Sequence, residues 1–323
     1  MSEEISGVKK SLTDLIPQEW FSDPATSSVW IAGFRVAGGS LPELANGIIV
    51  DLIGTRAFVL YGHLSYLDTS GNHWEWSEQS APLCKIDIKE GKTSIGSWLI
   101  IMAPYKIDGI GGNEAEVKRT ISTSAGIIAA FSGRNAVYEK IYDNILDVGT
   151  GAASGFSPVF SNPWVFPHPN FSKDRVALIR KGITCLNTIA IQMRNRIELA
   201  MHWYEEALRD QGRDAFLKSW IALEVLAMPD STNVRPITEA LARAYSISYD
   251  EATKAYGVGR IFGLRSRIVH NGELLPIHFL LEEYTQAIFA DVLFDMLQLP
   301  SDRRIEAVKA KPEFDLNGFL QER

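Results

Sequence analysis

Glycine is concentrated in the first half of this chain, and its uneven distribution most constrains what the sequence can fold into. Of the 25 glycines among 323 residues, 18 lie in residues 1–170 and seven lie in the remainder. Glycine weakens helices but suits the turns between short strands. The first part therefore predicts a β-rich structure. The second part, whose apolar residues recur at helical spacing, predicts helices.

Short runs rich in β-branched and aromatic residues predict the strands of the first part. These runs are residues 29–36, 47–50, 57–61, 84–88 and 98–102. We expect them to form a small, mostly antiparallel sheet. One helix is predicted to close this sheet, with Asn113 as its N-cap and an apolar spacing that continues toward Tyr138 and Ile145.

Residues 148–171 combine glycines with four prolines, a composition that suits neither a helix nor a strand interior. The sequence therefore predicts a boundary here within an α+β protein. Its parts are a β-rich domain with a helix over residues 1–165, suited to sensing or partner binding, an all-α bundle over residues 170–300, and a charged tail over residues 301–323. The predicted helices of the bundle cover about 173–194, 195–210, 213–228, 235–247 and 276–298, and a further short helix leads to His270.

The charge of the chain argues against a protein that coats nucleic acid with its whole surface. The net charge is −7, and only residues 171–275 are net positive, by +3. The first residues lack the pattern of a secretory signal, and no apolar run reaches the ~18 residues that a membrane span needs. We therefore expect a cytoplasmic protein without a membrane partner, and no DNA partner is predicted.

No cofactor or metal site is predicted. Cys84 and Cys185 lie about a hundred positions apart and cannot form a cysteine-rich metal site. Residues 91–93 resemble the end of a phosphate-binding loop but lack its first glycine. The glycines at 109–112 precede two glutamates that would repel a phosphate.

The most informative segment is residues 265–272, Arg-Ser-Arg-Ile-Val-His-Asn-Gly. It places two guanidinium groups and an imidazole within about a turn and a half of helix. On a helical wheel, Arg267 and His270 share a polar face. Arg265 falls on the apolar face, among Ile261, Leu264, Ile268 and Val269.

An arginine on an apolar face requires a partner, because an unpaired charge is costly to bury. Glu224 is the candidate, since it lies in a predicted helix that is apolar on nearly every side. If the two pair inside one chain, Arg267 becomes the better phosphate ligand, unless the face that carries Arg265 is a dimer interface.

These residues also carry a family resemblance. The segments are Trp220 to Glu224, Pro236-Ile237, Leu241 to Ala244, and Leu264 to Gly272. In this order they resemble the HEPN superfamily, specifically its Apea-like branch, over roughly residues 170–300. The combination of Trp-x3-Glu with Arg-x4-His is more specific than the Arg-x4-His spacing alone.

The resemblance implies an all-α bundle that forms a homodimer and acts on RNA as a metal-independent endoribonuclease. Carried onto this sequence, the catalytic pair is Arg265 and His270, with Glu224, Arg267 and Asn271 in support. The residue types suit this chemistry, since histidine moves protons near neutral pH and a guanidinium binds phosphate oxygens. By analogy with family members, the expected role is that of a toxin or an abortive-infection antiviral effector.

Two alternatives remain open at this point. Arg265 and Glu224 can be a structural ion pair, with His270 a helix-terminal residue that the helix dipole favours. The domain would then be a non-catalytic module for dimerisation or for binding RNA or another ligand. RNA cleavage and simple binding differ in whether His270 transfers a proton.

Overall fold

The computed structural model describes most of the chain. The described residues are 16–22, 26–36, 48–52, 55–61, 65–67, 73–77, 80–85, 97–106, 113–132, 139–147, 153–158 and 173–320. The chain divides into two compact units, one formed by residues 1–125 with 135–176 and the other by residues 126–134 with 177–323. The architecture is α+β, with strands in the first unit and helices dominating the second. The predicted boundary between residues 165 and 170 lies outside the described residues.

The first unit is built on antiparallel strands. They are β1 (Thr26–Val36), β2 (Ile48–Leu52), β3 (Thr55–Tyr61), β4 (Ser65–Leu67), β5 (His73–Ser77), β6 (Ser80–Lys85), β7 (Ser97–Lys106), β8 (Glu139–Asp147) and β9 (Ala153–Pro158). Six of them form one sheet in the order β2-β3-β7-β1-β8-β9, and β4-β5-β6 form a second. A short 3-10 helix, Gln18–Ser22, precedes β1.

The long strands β1 and β7 lie at the centre of the larger sheet. Val29, Trp30 and Ile31 of β1 are all buried, so both faces of this strand are covered. Across the pair, the rings of Trp30 and Tyr105 meet edge to face at 5.5 Å. The aromatic and β-branched residues that predict these strands from the sequence thus form the core of this unit.

Helix α1 (Glu114–Ser132) follows β7 and begins directly after Asn113, as the sequence predicts, but it ends earlier than predicted. The Asn113 side chain accepts the backbone N–H of Lys106 at 3.0 Å and so ties the helix start to the end of β7. The predicted extension toward Tyr138 and Ile145 is wrong, because residues 139–147 form β8 and pair with β1. An apolar spacing of four residues does not exclude a strand when a partner strand is available.

Strand β9 is a second correction, because it lies in the stretch predicted to be irregular. It pairs with β8 at the edge of the sheet. An edge strand tolerates the glycine and the terminal proline of this segment, since one side of its backbone needs no partner strand. The glycines in residues 70–72 and 90–92 also predict turns between strands, and both stretches lie outside the described residues.

The second unit is a helical assembly. Its helices are α2 (Lys173–Thr188), α3 (Ile191–Arg209), α4 (Gly212–Ala227), α5 (Arg235–Tyr245), α6 (Tyr249–Tyr256), α7 (Val258–His270), α8 (Phe279–Met296), α9 (Arg304–Lys309) and α10 (Leu316–Leu320). The end of α1, residues 126–132, also belongs to this unit. The helix predicted over 173–194 is in fact interrupted at residues 189–190, and the sequence prediction missed α6.

Helix α8 is the central helix of this unit. Leu280, Leu281 and all residues from 283 to 294 are buried. Helices α4, α5 and α9 pack against it. Because α8 is covered on nearly every side, its apolar residues lie around the whole helix instead of along one stripe.

Asp291 is a buried carboxylate in α8 that joins three helices. Its Oδ2 accepts the hydroxyl of Tyr245 in α5 at 2.5 Å. Its two oxygens also accept the backbone N–H groups of Arg304 and Ile305, at 3.1 and 3.0 Å, and so cap the start of α9. Burial raises the pKa of the Asp291 carboxyl above its ordinary value, against the opposite effect of these hydrogen bonds. Burial and the carboxylate together raise the pKa of Tyr245.

The segment predicted to be a charged tail is therefore tied to the helical unit. Ile305 and Val308 of α9 are buried. Farther on, Lys311 bonds the buried carboxylate of Glu283, and Phe314 packs on Tyr284 with ring centroids 4.9 Å apart. No helix among the described residues combines the length and apolarity that crossing a membrane requires.

Gly126 allows a close approach of α1 to α3, and this contact yields a first prediction. A Cβ at this position would overlap the carbonyl of Met201 and lie 3.3 Å from the Cβ of Glu205. Because backbone cannot move aside as a flexible side chain can, Gly126→Ala should destabilise the protein by about 1–3 kcal/mol. Urea unfolding followed by circular dichroism measures this change.

Gly263→Ala is the matched control. Gly263 is also helical, but it is exposed, and the space that an added methyl group would occupy is open. This substitution should leave stability unchanged or raise it by up to about 1 kcal/mol, because alanine favours the helix. Equal stability of the two variants would contradict the packing described for Gly126.

Candidate functional site

Two helices of the second unit carry the residues that the sequence singles out. Helix α4 supplies Trp220 and Glu224, and helix α7 supplies Arg265, Arg267 and His270. Gly257 ends α6 with φ of 59°, a left-handed conformation that glycine adopts without strain, and α7 begins at the next residue. Gly272, with φ of 67°, turns the chain after α7. These two glycines therefore set the limits of the helix that carries the motif.

Arg265 bridges Glu224 and His270. Its Nη2 donates to Glu224 Oε2 at 3.2 Å, and its Nη1 lies 3.2 Å from His270 Nε2. The other oxygen of Glu224, Oε1, accepts the indole N–H of Trp220 at 3.0 Å. The structure thus brings three of the predicted residues into one chain of contacts, from the interior of α4 to the exposed end of α7.

The ion pair between Glu224 and Arg265 is present, as predicted, but it is less enclosed than the helical wheel indicates. The Arg265 side chain is 19% exposed and that of Glu224 is 25% exposed. Val269, placed on the same apolar face by the wheel, is 47% exposed. The apolar face of α7 is therefore covered along Ile261, Leu264 and Ile268 but opens to solvent near its C-terminal end.

Packing between α4 and α7 holds this pair in place. Trp220 is fully buried, and its ring lies 5.9 Å from that of Phe262 in α7. Phe262 precedes Arg265 by three residues, so the two side chains lie close together along α7. The aromatic contact thereby keeps the guanidinium within reach of Glu224.

Arg267 and Asn271 make a second set of contacts at the end of α7. Arg267 reaches Glu273 Oε2 through Nε at 2.9 Å and Nη2 at 2.8 Å, while the amide of Asn271 donates to Oε1 at 3.2 Å. Hydrogen bonds from Arg267 and then Asn271 lower the pKa of the Glu273 carboxyl. Arg267, the arginine on the polar face of α7, is therefore paired with a carboxylate. Its side chain is also half-buried.

Sequence reasoning missed two residues of this arrangement. It used Trp220 only as part of a resemblance and did not consider Glu273. Gly272 could have predicted the role of Glu273. A left-handed residue after a helix turns the chain, so that the following residue lies near the last helical turn. The backbone N–H of Glu273 indeed bonds the carbonyl of Arg267 at 3.3 Å.

The site consists of a guanidinium and an imidazole at an exposed helix end. His270 is exposed, so the imidazole is accessible to a ligand from solvent. The guanidinium offers planar donors for a phosphate or carboxylate. In the part of the chain that the structure describes, no three His, Cys, Asp or Glu side chains form a group that could hold a metal ion.

Comparison of the chain with models of protein families, with curated proteins and with solved structures found no significant match. We therefore infer the function of the chain from its residues and their geometry.

The exposure of the Glu224–Arg265 pair gives a second prediction. Because water reaches both side chains, Arg265→Ala should cost about 1–3 kcal/mol of stability, less than the loss of a partner from a fully enclosed pair. A double-mutant cycle with Glu224→Gln should give a coupling energy of about 1 kcal/mol in urea unfolding.

Arg267→Ala is the comparison variant on the same helix. Its ion pair with Glu273 joins neighbouring segments at the surface, so the expected cost is at most about 1 kcal/mol. A coupling energy of zero would contradict a stabilising interaction between Glu224 and Arg265.

Proposed function

We propose that the helical unit is a metal-independent endoribonuclease of the HEPN type, in which His270 transfers protons and Arg265 binds the scissile phosphate. The observation that carries this proposal is the 3.2 Å contact between Arg265 Nη1 and His270 Nε2 at an exposed helix end. One phosphodiester group can reach both side chains there. A proton-transfer group beside a phosphate-binding group is what RNA cleavage without a metal requires.

The reaction would use the nucleophile of the substrate itself. The ribose 2′-OH attacks the adjacent phosphorus and gives its proton to an imidazole, and the 5′-oxygen of the next nucleotide leaves with a proton from a second acid. The products are a 2′,3′-cyclic phosphate and a free 5′-hydroxyl. Arg265 stabilises the charge that builds on the phosphate oxygens.

The contact between Arg265 and His270 has a consequence for substrate binding. A phosphate oxygen that accepts from Nη1 takes the place of His270 Nε2. The imidazole nitrogen is then able to accept the 2′-OH proton. Phosphate binding and release of the general base are thus one event in this proposal.

The proposal includes a two-fold symmetric dimer, in which the second chain supplies the second histidine. Large apolar side chains are exposed beside the motif, with Val269 47%, Leu274 82% and Phe279 48% exposed. Apolar surface of this kind is typical of an interface. The role in toxicity or antiviral defence rests on the resemblance alone, and the cytoplasmic location remains the expectation stated from the sequence.

A second candidate is a non-catalytic module for dimerisation or for binding RNA. The observation that favours it is that both Arg265 and Arg267 are already paired with carboxylates of the same chain. Paired arginines contribute little net charge for holding a phosphate. The two candidates differ in whether RNA is cleaved.

His270→Ala tests the catalytic proposal. The substitution should lower cleavage of single-stranded RNA by at least ~10²-fold, because proton transfer is lost. Since His270 is exposed, the melting temperature should stay nearly unchanged. Lys254→Ala, an exposed change on α6, should retain full activity.

The wild-type protein should remain active in excess chelator. Loss of cleavage on chelation would show that a metal performs the chemistry. Binding of RNA without cleavage, in both the wild type and His270→Ala, would favour the non-catalytic module.

Light scattering tests the dimer. The expected mass is about twice the 35.9 kDa of one chain. Leu274→Glu should shift the protein toward the monomer, because it places a charge in the proposed interface. Ile191→Glu, at a residue on α3 that is 56% exposed, should leave the dimer intact.

A monomeric mass at micromolar concentration, unchanged by RNA, would contradict an active site shared between two chains.

A further inference from the structure

Trp220 is buried, but a series of polar contacts connects it to the exposed end of the site. Its side chain is fully buried, and an indole N–H can only donate. A buried tryptophan therefore needs an acceptor. The acceptor is Glu224 Oε1, one helical turn further along α4, at 3.0 Å.

This hydrogen bond fixes the orientation of the Glu224 carboxylate. With Oε1 held by the indole, Oε2 faces α7 and accepts from Arg265 Nη2 at 3.2 Å. The guanidinium is planar and rigid, so fixing Nη2 also directs Nη1. Nη1 then lies 3.2 Å from His270 Nε2.

The last contact determines which nitrogen of His270 carries the proton. A guanidinium donates and never accepts, so His270 Nε2 must be the acceptor of this hydrogen bond. The neutral imidazole then carries its proton on Nδ1. A solvated imidazole prefers the opposite tautomer, with the proton on Nε2, so the preference has to come from the protein.

We propose that Trp220 is a positioning residue that acts through Glu224 and Arg265 to keep His270 in the Nδ1–H tautomer, whose Nε2 can accept a proton once a phosphate displaces it from Arg265 Nη1. This inference gives a catalytic meaning to Trp220 only if the proposed function holds. The tautomer itself is a property of the protein without RNA. It is therefore measurable whether or not RNA is cleaved.

Nitrogen-15 NMR of histidine-labelled full-length protein, without RNA, tests the proposal at pH 8.5, where an unperturbed imidazole is neutral. The chain has six histidines, so the His270 signals are assigned by their absence from His270→Ala. In the wild type, Nδ1 should show the chemical shift of a protonated nitrogen and Nε2 that of an unprotonated one.

Trp220→Phe is the decisive variant, because phenylalanine keeps a smaller aromatic ring against Phe262 and lacks the donor at the indole nitrogen. Its His270 should lose the preference for Nδ1–H and shift to the Nε2–H form. Ile261→Val is a buried change on α7 that touches neither the Trp220–Phe262 contact nor the hydrogen bonds, and it should keep the wild-type tautomer. If Trp220→Phe does not fold, Glu224→Gln breaks the same chain of contacts and should give the same shift.

Three results would overturn the inference. They are an Nε2–H tautomer in the wild type, an unchanged tautomer in Trp220→Phe or Glu224→Gln, and an equal shift in Ile261→Val. Where the wild type cleaves RNA, Trp220→Phe should also lower kcat by ~10-fold with KM within about twofold of the wild type. A protein that shows the tautomer change but never cleaves RNA keeps this inference and loses the proposed function.

Discussion

The helical unit depends on the hydrogen bonds that the buried carboxylate of Asp291 accepts. This carboxylate lies inside α8, a helix covered on nearly every side, where an unsatisfied charge would be very costly. Tyr245 and the first two N–H groups of α9 satisfy it. If α9 moved away, the carboxylate would keep Tyr245 but lose its two N–H donors, and the start of α9 would lose its acceptor. The terminal segment is therefore part of the core, although its sequence is charged.

The same core sets the geometry of the candidate site. Helix α4 packs on α8, and its buried Trp220 meets Phe262 of α7. The helix that carries the motif is thus placed by aromatic packing, and the polar contacts form where that packing ends. Glu224 lies at the boundary between the aromatic packing and the polar contacts. One of its oxygens accepts from the buried indole, and the other accepts from the partly exposed guanidinium. The same residues therefore contribute to folding and to the proposed activity. The effect of a substitution in this region must be measured on both.

How much the sequence predicts depends on whether the deciding contact is local. The pairing of Arg265 with Glu224 was predictable, because a charge on an apolar helix face needs a partner and few carboxylates lie in apolar helices. The strand at residues 139–147 was not, since its apolar spacing fits a helix and its pairing with β1 joins segments that are far apart in the chain. The exposure of the ion pair could not be predicted either, because a helical wheel shows which face a residue lies on but not where the neighbouring helix ends.

The geometry alters the expected ranking of the two arginines. From the sequence, an internal Glu224–Arg265 pair would make Arg267 the better phosphate ligand. In the structure, Arg267 holds Glu273 through both Nε and Nη2, so a phosphate would have to compete with a carboxylate at both donors. Arg265 uses Nη2 for Glu224 and Nη1 for an imidazole that must be neutral to accept. An anion displaces a neutral acceptor more readily than a charged one, because hydrogen bonds between charged groups are roughly twice as strong. If the proposed function holds, the half of the guanidinium that faces His270 is therefore the better of the two positions for the phosphate.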